Sequence, residues 1–122
     1  MSSVSRVYPI IHRGYELLIV DFSDCHGQSY IDVFNLAKEW LLREKRTVSI
    51  ISVFNAKTFV TPDVMRFIEK ELPTVDQFIL KNTITGISAT QQWILKGLNL
   101  WYKKQIHHFT TREEAIDFLS KP

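Results

Sequence analysis

Apolar positions along the 122-residue chain change their spacing several times, and each change marks a boundary between elements. Positions 15–22, Tyr-Glu-Leu-Leu-Ile-Val-Asp-Phe, are almost continuously apolar at their centre, the pattern of a strand buried on both faces. Positions 7–11 precede it across His12-Arg13-Gly14 and are expected to pair with it as a short hairpin. After a turn at 23–28 the period becomes helical over 29–45. Tyr30, Phe34, Ala37 and Leu41 share one stripe, with Val33, Leu36 and Trp40 beside it, while Asp32, Asn35, Glu39 and Arg43 form the wet side. Positions 47–54 form a β-branched strand, and a helix is expected from Pro62 to about Leu72. Its N-terminus is marked by Thr61 as cap and Pro62 at the first helical position, and Pro73 stops it. Val64, Phe67, Ile68 and Leu72 face inward there, and Arg66, Glu69 and Lys70 face water.

The next strand is placed at 77–85. Gly86 permits a tight turn, and Ser88 caps a helix running to about Tyr102. Positions 105–109 form a last short strand, and Thr111-Arg-Glu-Glu114 is a capping box opening a closing helix that buries Ala115, Ile116 and Leu119. The order β-β-α-β-α-β-α-β-α predicts an α/β fold, a mostly parallel mixed sheet of about five strands with about four helices and an antiparallel strand near its start. There is no repeat, low-complexity tract or linker, so residues 1–122 read as one domain, long enough to bury roughly two-thirds of its unfolded surface.

The helix from Ser88 is too apolar for its place. Gln92, Lys96, Asn99 and Lys103 fill a narrow polar arc. The apolar arc runs from Leu100 and Trp93 through Trp101, Ile94 and Leu98 to Tyr102 and Leu95, roughly 220° where a sheet-packed helix needs ~100°. Some of Trp93, Leu100, Leu95 and Tyr102 are therefore expected to stay exposed or to be covered by another molecule.

Composition is that of an ordinary soluble protein, 45% hydrophobic and 23% charged. Fifteen basic and 13 acidic residues give +2, but no acidic residue falls between Asp76 and Glu113. Lys81, Lys96, Lys103, Lys104 and Arg112 fall there, with His107 and His108. That stretch is either a solvated positive face or a surface for an acidic partner, a phosphate or an anionic membrane. Nucleic acid is not expected, because there is no arginine cluster and no glycine–aromatic recognition motif. Cys25 is the only cysteine, so no intramolecular disulfide forms. The N-terminal Met-Ser-Ser-Val-Ser-Arg-Val-Tyr lacks a signal-peptide apolar stretch, and no window approaches ~18 apolar residues. The expectation is a cytoplasmic protein without an integral membrane segment.

Candidate chemistry is sparse. Cys25 and His26 adjoin Asp21 and Asp24, but neighbouring residues rarely aim their side chains at each other. His107 and His108 alternate across a strand and do not share a metal. Gly14, Gly27, Gly86 and Gly97 are isolated and build no phosphate loop. No catalytic residue, metal or cofactor is expected. The helix N-termini at Thr61 and Ser88 should open at one sheet edge and favour an anion, with Asn55, Lys57 and Thr85 as further donors and Asp63 opposing them.

The chain resembles the STAS domain, typified by the anti-sigma-factor antagonist SpoIIAA, and more closely the SpoIIAA-like bacterial proteins. The resemblance spans Leu17 to Leu119. It rests on Leu-Leu-Ile-Val-Asp-Phe-Ser at 17–23, Phe-Val-Thr-Pro-Asp-Val at 59–64 and Thr-Arg-Glu-Glu-Ala-Ile-Asp-Phe-Leu at 111–119. In the antagonists the strand before the second helix enters an Asp-Ser-Ser/Thr-Gly turn that a kinase anti-sigma factor phosphorylates to release the complex. Here the turn reads Thr61-Pro62-Asp63-Val64, without the glycine and with Asp63 where the phosphorylated serine would fall. The resemblance thus implies a non-enzymatic regulatory or protein-binding domain without that serine switch. Its contacts, with a protein partner or a second copy in a homodimer, are expected at Asn55, Lys57, Thr58, Thr61, Asp63, Thr85, Ser88, Trp93, Lys96 and Leu100. The alternative is a carrier of a small anionic or lipid ligand, since SpoIIAA-like sheets are also similar to CRAL-TRIO lipid-binding domains and the wide arc holds Trp93 and Trp101.

Overall fold

Arg13 and Gly14 take φ of 52° and 83°, the left-handed pair that a two-residue hairpin turn requires, and so β1 (Val7–His12) folds back antiparallel on β2 (Tyr15–Asp21). The computed structural model describes residues 5–102 and 104–121, and the side chains of all of these except Thr90 and Trp101. Lys103 and the Trp101 side chain, both part of the expected helix arcs, lie outside the described residues.

From β2 onward the chain alternates: α1 (Gln28–Glu44), β3 (Val48–Val53), α2 (Pro62–Glu71), β4 (Ile79–Thr85), α3 (Gln92–Trp101), β5 (Ile106–Phe109) and α4 (Arg112–Leu119). The five strands form one mixed sheet in the order β1-β2-β3-β4-β5, antiparallel only between β1 and β2. The α/β fold with four helices is as the hydrophobic pattern predicts. Each crossover steps one strand in the same direction, so a constant hand puts α1, α2 and α3 on the same face. Leu18, Val20, Ile50 and Ile84 meet them there. The opposite face, built on Leu17, Ile19 and Ile51, is covered by Ala115 and Leu119 of α4.

Two boundaries differ from expectation. The strand placed at 77–85 begins only at Ile79, because Leu72–Thr74 and Asp76–Phe78 are single 3₁₀ turns. Pro73 has no N–H with which to extend α2, and beyond the helix Thr74 Oγ1 donates to the Glu71 carbonyl at 2.6 Å. Leu72 is accordingly buried from a 3₁₀ turn and not from the helix. The helix from Ser88 likewise opens as a 3₁₀ turn, Ala89–Gln91, before α3 begins. A clasp closes its far end, where Tyr102 donates to Asp76 Oδ1 at 2.6 Å and Lys104 to the Asp76 carbonyl at 2.8 Å.

Candidate functional site

The carboxyl ends of β2, β3 and β4 lie along one edge of the sheet, and the loops leaving them are held together by side-chain hydrogen bonds. Asn55 is the hub. Its Oδ1 accepts from the backbone N–H of Asp24 and of Lys57, each at 3.0 Å, and its Nδ2 donates to Asp24 Oδ1 at 2.9 Å. Thr58 is wholly buried; its hydroxyl donates to the Phe22 carbonyl at 2.8 Å and accepts from Asn55 N. Gln91 Nε2 donates to the Thr58 carbonyl at 2.6 Å, fastening the turn before α3 to this loop. Asn55, Thr58 and Gln91 are thus internal ties. An anion or partner approaching the edge meets other groups.

Thr61 accepts from Val64 N at 3.3 Å and caps α2. Asp63 is exposed and hydrogen-bonded to Arg66. Thr85 is buried, and the carbonyl of this residue accepts from Phe54 N at 2.8 Å. Ser88 shares a capping box with Gln91. Lys57 is exposed at the loop tip. The structure therefore brings the predicted edge residues together, but it leaves mainly Lys57, Asp63 and Ser88 facing outward.

Trp93, Lys96 and Leu100 lie on the outer stripe of α3. Trp93 is 49% and Leu100 88% exposed, while Ile94 and Leu98 fill the core and Tyr102 packs inward. The overfull apolar arc resolves into a buried side and a bare one. Phe59, absent from the sequence-based candidates, is 54% exposed at the loop tip, its ring edge-on to His26 at 6.0 Å. Burial alternates over Thr58, Phe59 and Val60, buried, exposed and buried, but the polarity of Thr-Phe-Val does not mark Phe59 as the exposed one. The Gln91–Thr58 hydrogen bond makes the loop carrying Phe59 and the helix carrying Trp93 neighbours.

The basic stretch does not form one patch. Lys81 lies over the Phe118 ring, Arg112 over Tyr8, and Lys104 is drawn to Asp76. Lys96 has no partner among the described residues and stands beside the bare apolar pair.

Nucleophile geometry is unfavourable where it was sought. Cys25 is buried, with Sγ 3.4 Å from Arg6 Nη1, and burial pushes its thiol up despite that guanidinium. One Ser–His contact joins residues 108 apart, which no local pattern announces. Ser120 Oγ lies 2.6 Å from the Ile116 carbonyl and 3.0 Å from His12 Nδ1. Among the described residues no three His, Cys, Asp or Glu side chains gather to hold a metal, and no helix is long and apolar enough to cross a membrane.

Between the sheet and α1–α3 lies a cavity of ≈ 70 Å³. Pockets for drug-sized ligands run to about 300–1,000 Å³, so this one does not enclose a lipid chain as it stands. Comparison with family models, with curated proteins and with solved structures finds no match for this chain.

Proposed function

We propose that the protein is a non-enzymatic, STAS-like binding domain that docks an acidic protein partner through the outer stripe of α3 and the adjoining loop tip. The observation that carries this reading is the pairing of Trp93 and Leu100, seven residues apart and both bare, with the free ammonium of Lys96 between them. An exposed aromatic and aliphatic pair on one helix face is the composition of an interface centre. The charge selects the partner. No carboxylate occurs from residue 77 to 112, so a second copy would present like charge to like charge, whereas an acidic surface complements it. Phe59 and Lys57 extend the same chemistry across the loop. Asp63 stands where the antagonists carry their serine and cannot be phosphorylated by a serine kinase, so the association is proposed to work without that switch.

A photoreactive residue placed at position 100 tests this in cells. It should capture one acidic protein, and the purified pair should bind less tightly as salt rises. Trp93→Ala should weaken that binding by about 2 kcal/mol, and Leu100→Asp by at least as much, without loss of thermal stability. Equal affinity of the wild type and both variants, or a concentration-dependent dimer that Leu100→Asp dissolves, would assign the face otherwise.

A further inference from the structure

β5 is the last strand of the sheet, with β4 on one side and no strand on the other among the described residues. An open edge is a template for another strand, and natural edges use lysine, proline or a bulge to prevent that. β5 reads Ile-His-His-Phe and has none of these. What guards it is Asn99, reaching across from α3. Asn99 Oδ1 accepts from Ile106 N at 2.9 Å, and its Nδ2 donates to the Ile106 carbonyl at 3.3 Å. One carboxamide thus takes both backbone groups of a single edge residue, as a neighbouring peptide group would. Alternate residues of a paired strand face its partner, so Ile106 and His108 face outward while His107 and Phe109 bond to β4. The opposite edge is closed differently. Asp21 N donates to the Arg6 carbonyl, which leaves Val7, Pro9 and Ile11 facing outward on β1. Ser5 Oγ meets Val7 N at 3.2 Å and the Val7 carbonyl at 2.7 Å, and Pro9 has no N–H to offer.

We propose that Asn99 is a built-in block on self-pairing, and that the surface it masks fits the β5 strand of a second copy, antiparallel across a two-fold axis through His107. Antiparallel strands exchange hydrogen bonds between outward-facing residues. Ile106 of each copy would therefore face His108 of the other, with four bonds in all, and the interface would be isologous. Every one of those bonds uses a backbone group of an Ile106, and these are the groups that Asn99 occupies. Strand pairing and the Asn99 contact exclude each other. β1 has no such latent surface, because the equivalent two-fold pairing would centre on Pro9, which lacks the donor. The edge is separate from the Trp93–Leu100 face and needs no acidic partner.

The test is Asn99→Ala in the full chain, followed by sedimentation over a range of concentrations. High salt screens the repulsion between two copies that carry no carboxylate from residue 77 to 112. Asn99→Ala should dimerise about tenfold more tightly than the wild type, or more, and in the dimer the His108 amide should become protected from exchange. Adding His108→Pro removes the donors of two of the four bonds at an edge position that tolerates proline, and should return the dimer constant to the wild-type value. Adding Leu100→Asp should leave the dimer in place. One measurement needs no variant: in the wild-type monomer the Ile106 amide, held by Asn99, should exchange more slowly than that of His108. The proposal is overturned by an Asn99→Ala dimer constant equal to the wild type's or by equal exchange of the two wild-type amides. A dimer that His108→Pro leaves intact, or that Leu100→Asp dissolves, overturns it as well.

Discussion

At Gly86 the chain leaves β4 with φ 82°, and an added Cβ would lie 2.1 Å from the Phe54 carbonyl oxygen. Gly14 has almost the same φ, 83°, but open space where its Cβ would go. The two positions therefore separate backbone strain from steric exclusion. Gly14→Ala should cost about 1–3 kcal/mol in urea unfolding, the range for a left-handed non-glycine residue. Gly86→Ala should lose clearly more, because Phe54 N is tied to the Thr85 carbonyl and its own carbonyl cannot retreat freely. Equal losses would mean that the junction between β3 and β4 yields without strain. Gly86 matters beyond stability, since it sets the path from β4 to the capped turn that anchors α3 to the Thr58 loop.

Among the elements α4 has the largest task for its length. Its eight residues cover the reverse face of the sheet, with Ala115 and Leu119 buried against Leu17, Ile19 and Ile51. A helix this short has little stability of its own, so its N-terminus counts. Thr111 Oγ1 accepts from Glu114 N at 3.2 Å, and Glu114 Oε1 accepts from Thr111 N at 3.0 Å. Thr111→Ala should destabilise the protein by about 1 kcal/mol and speed amide exchange in α4 before the other helices. This box was legible in the sequence because capping chemistry is local, as was the Thr61-Pro62 start of α2. The bare side of α3 was legible too, as an arc too wide for one sheet. The division of labour inside that arc was not: Tyr102 turns inward, where its ring joins the core and Asp76, 26 residues earlier, receives its hydroxyl. The two 3₁₀ turns before β4 were hidden for a related reason, since Gln77 and Phe78 fit a strand as well as a turn until β4 is bulged against β3. The cavity between the sheet and α1–α3 and the His12–Ser120 contact depend on how whole layers meet, and no window of sequence contains them.

For the whole molecule, acid sensitivity follows from two ion pairs that cross between elements. Arg46 grips Glu16 with two bonds of 2.7 Å, tying β2 to the turn before β3, and Lys38 grips Glu71 across α1 and α2. In each case a hydrogen bond from the cation holds the carboxyl below its ordinary value of 4.5. A carboxylate with a lowered folded-state pKa stabilises the fold fully above its unfolded value and loses that contribution as pH falls through the lowered one. Thermal midpoints should therefore be level down to about pH 5 and decline below it. The decline should be shallower in Glu71→Gln, and an unchanged slope would remove Glu71 from the account. The sheet order has a different consequence. Because the strands lie side by side in the order of synthesis, none has to be wedged between two already paired, and each can join the free margin as it leaves the ribosome. The helix that emerges after the whole sheet, α4, is also the lid of the far side. A nascent chain halted just before Arg112 would carry an assembled body with one sticky wall, and chaperones or other stalled copies would meet Leu17, Ile19 and Ile51 first.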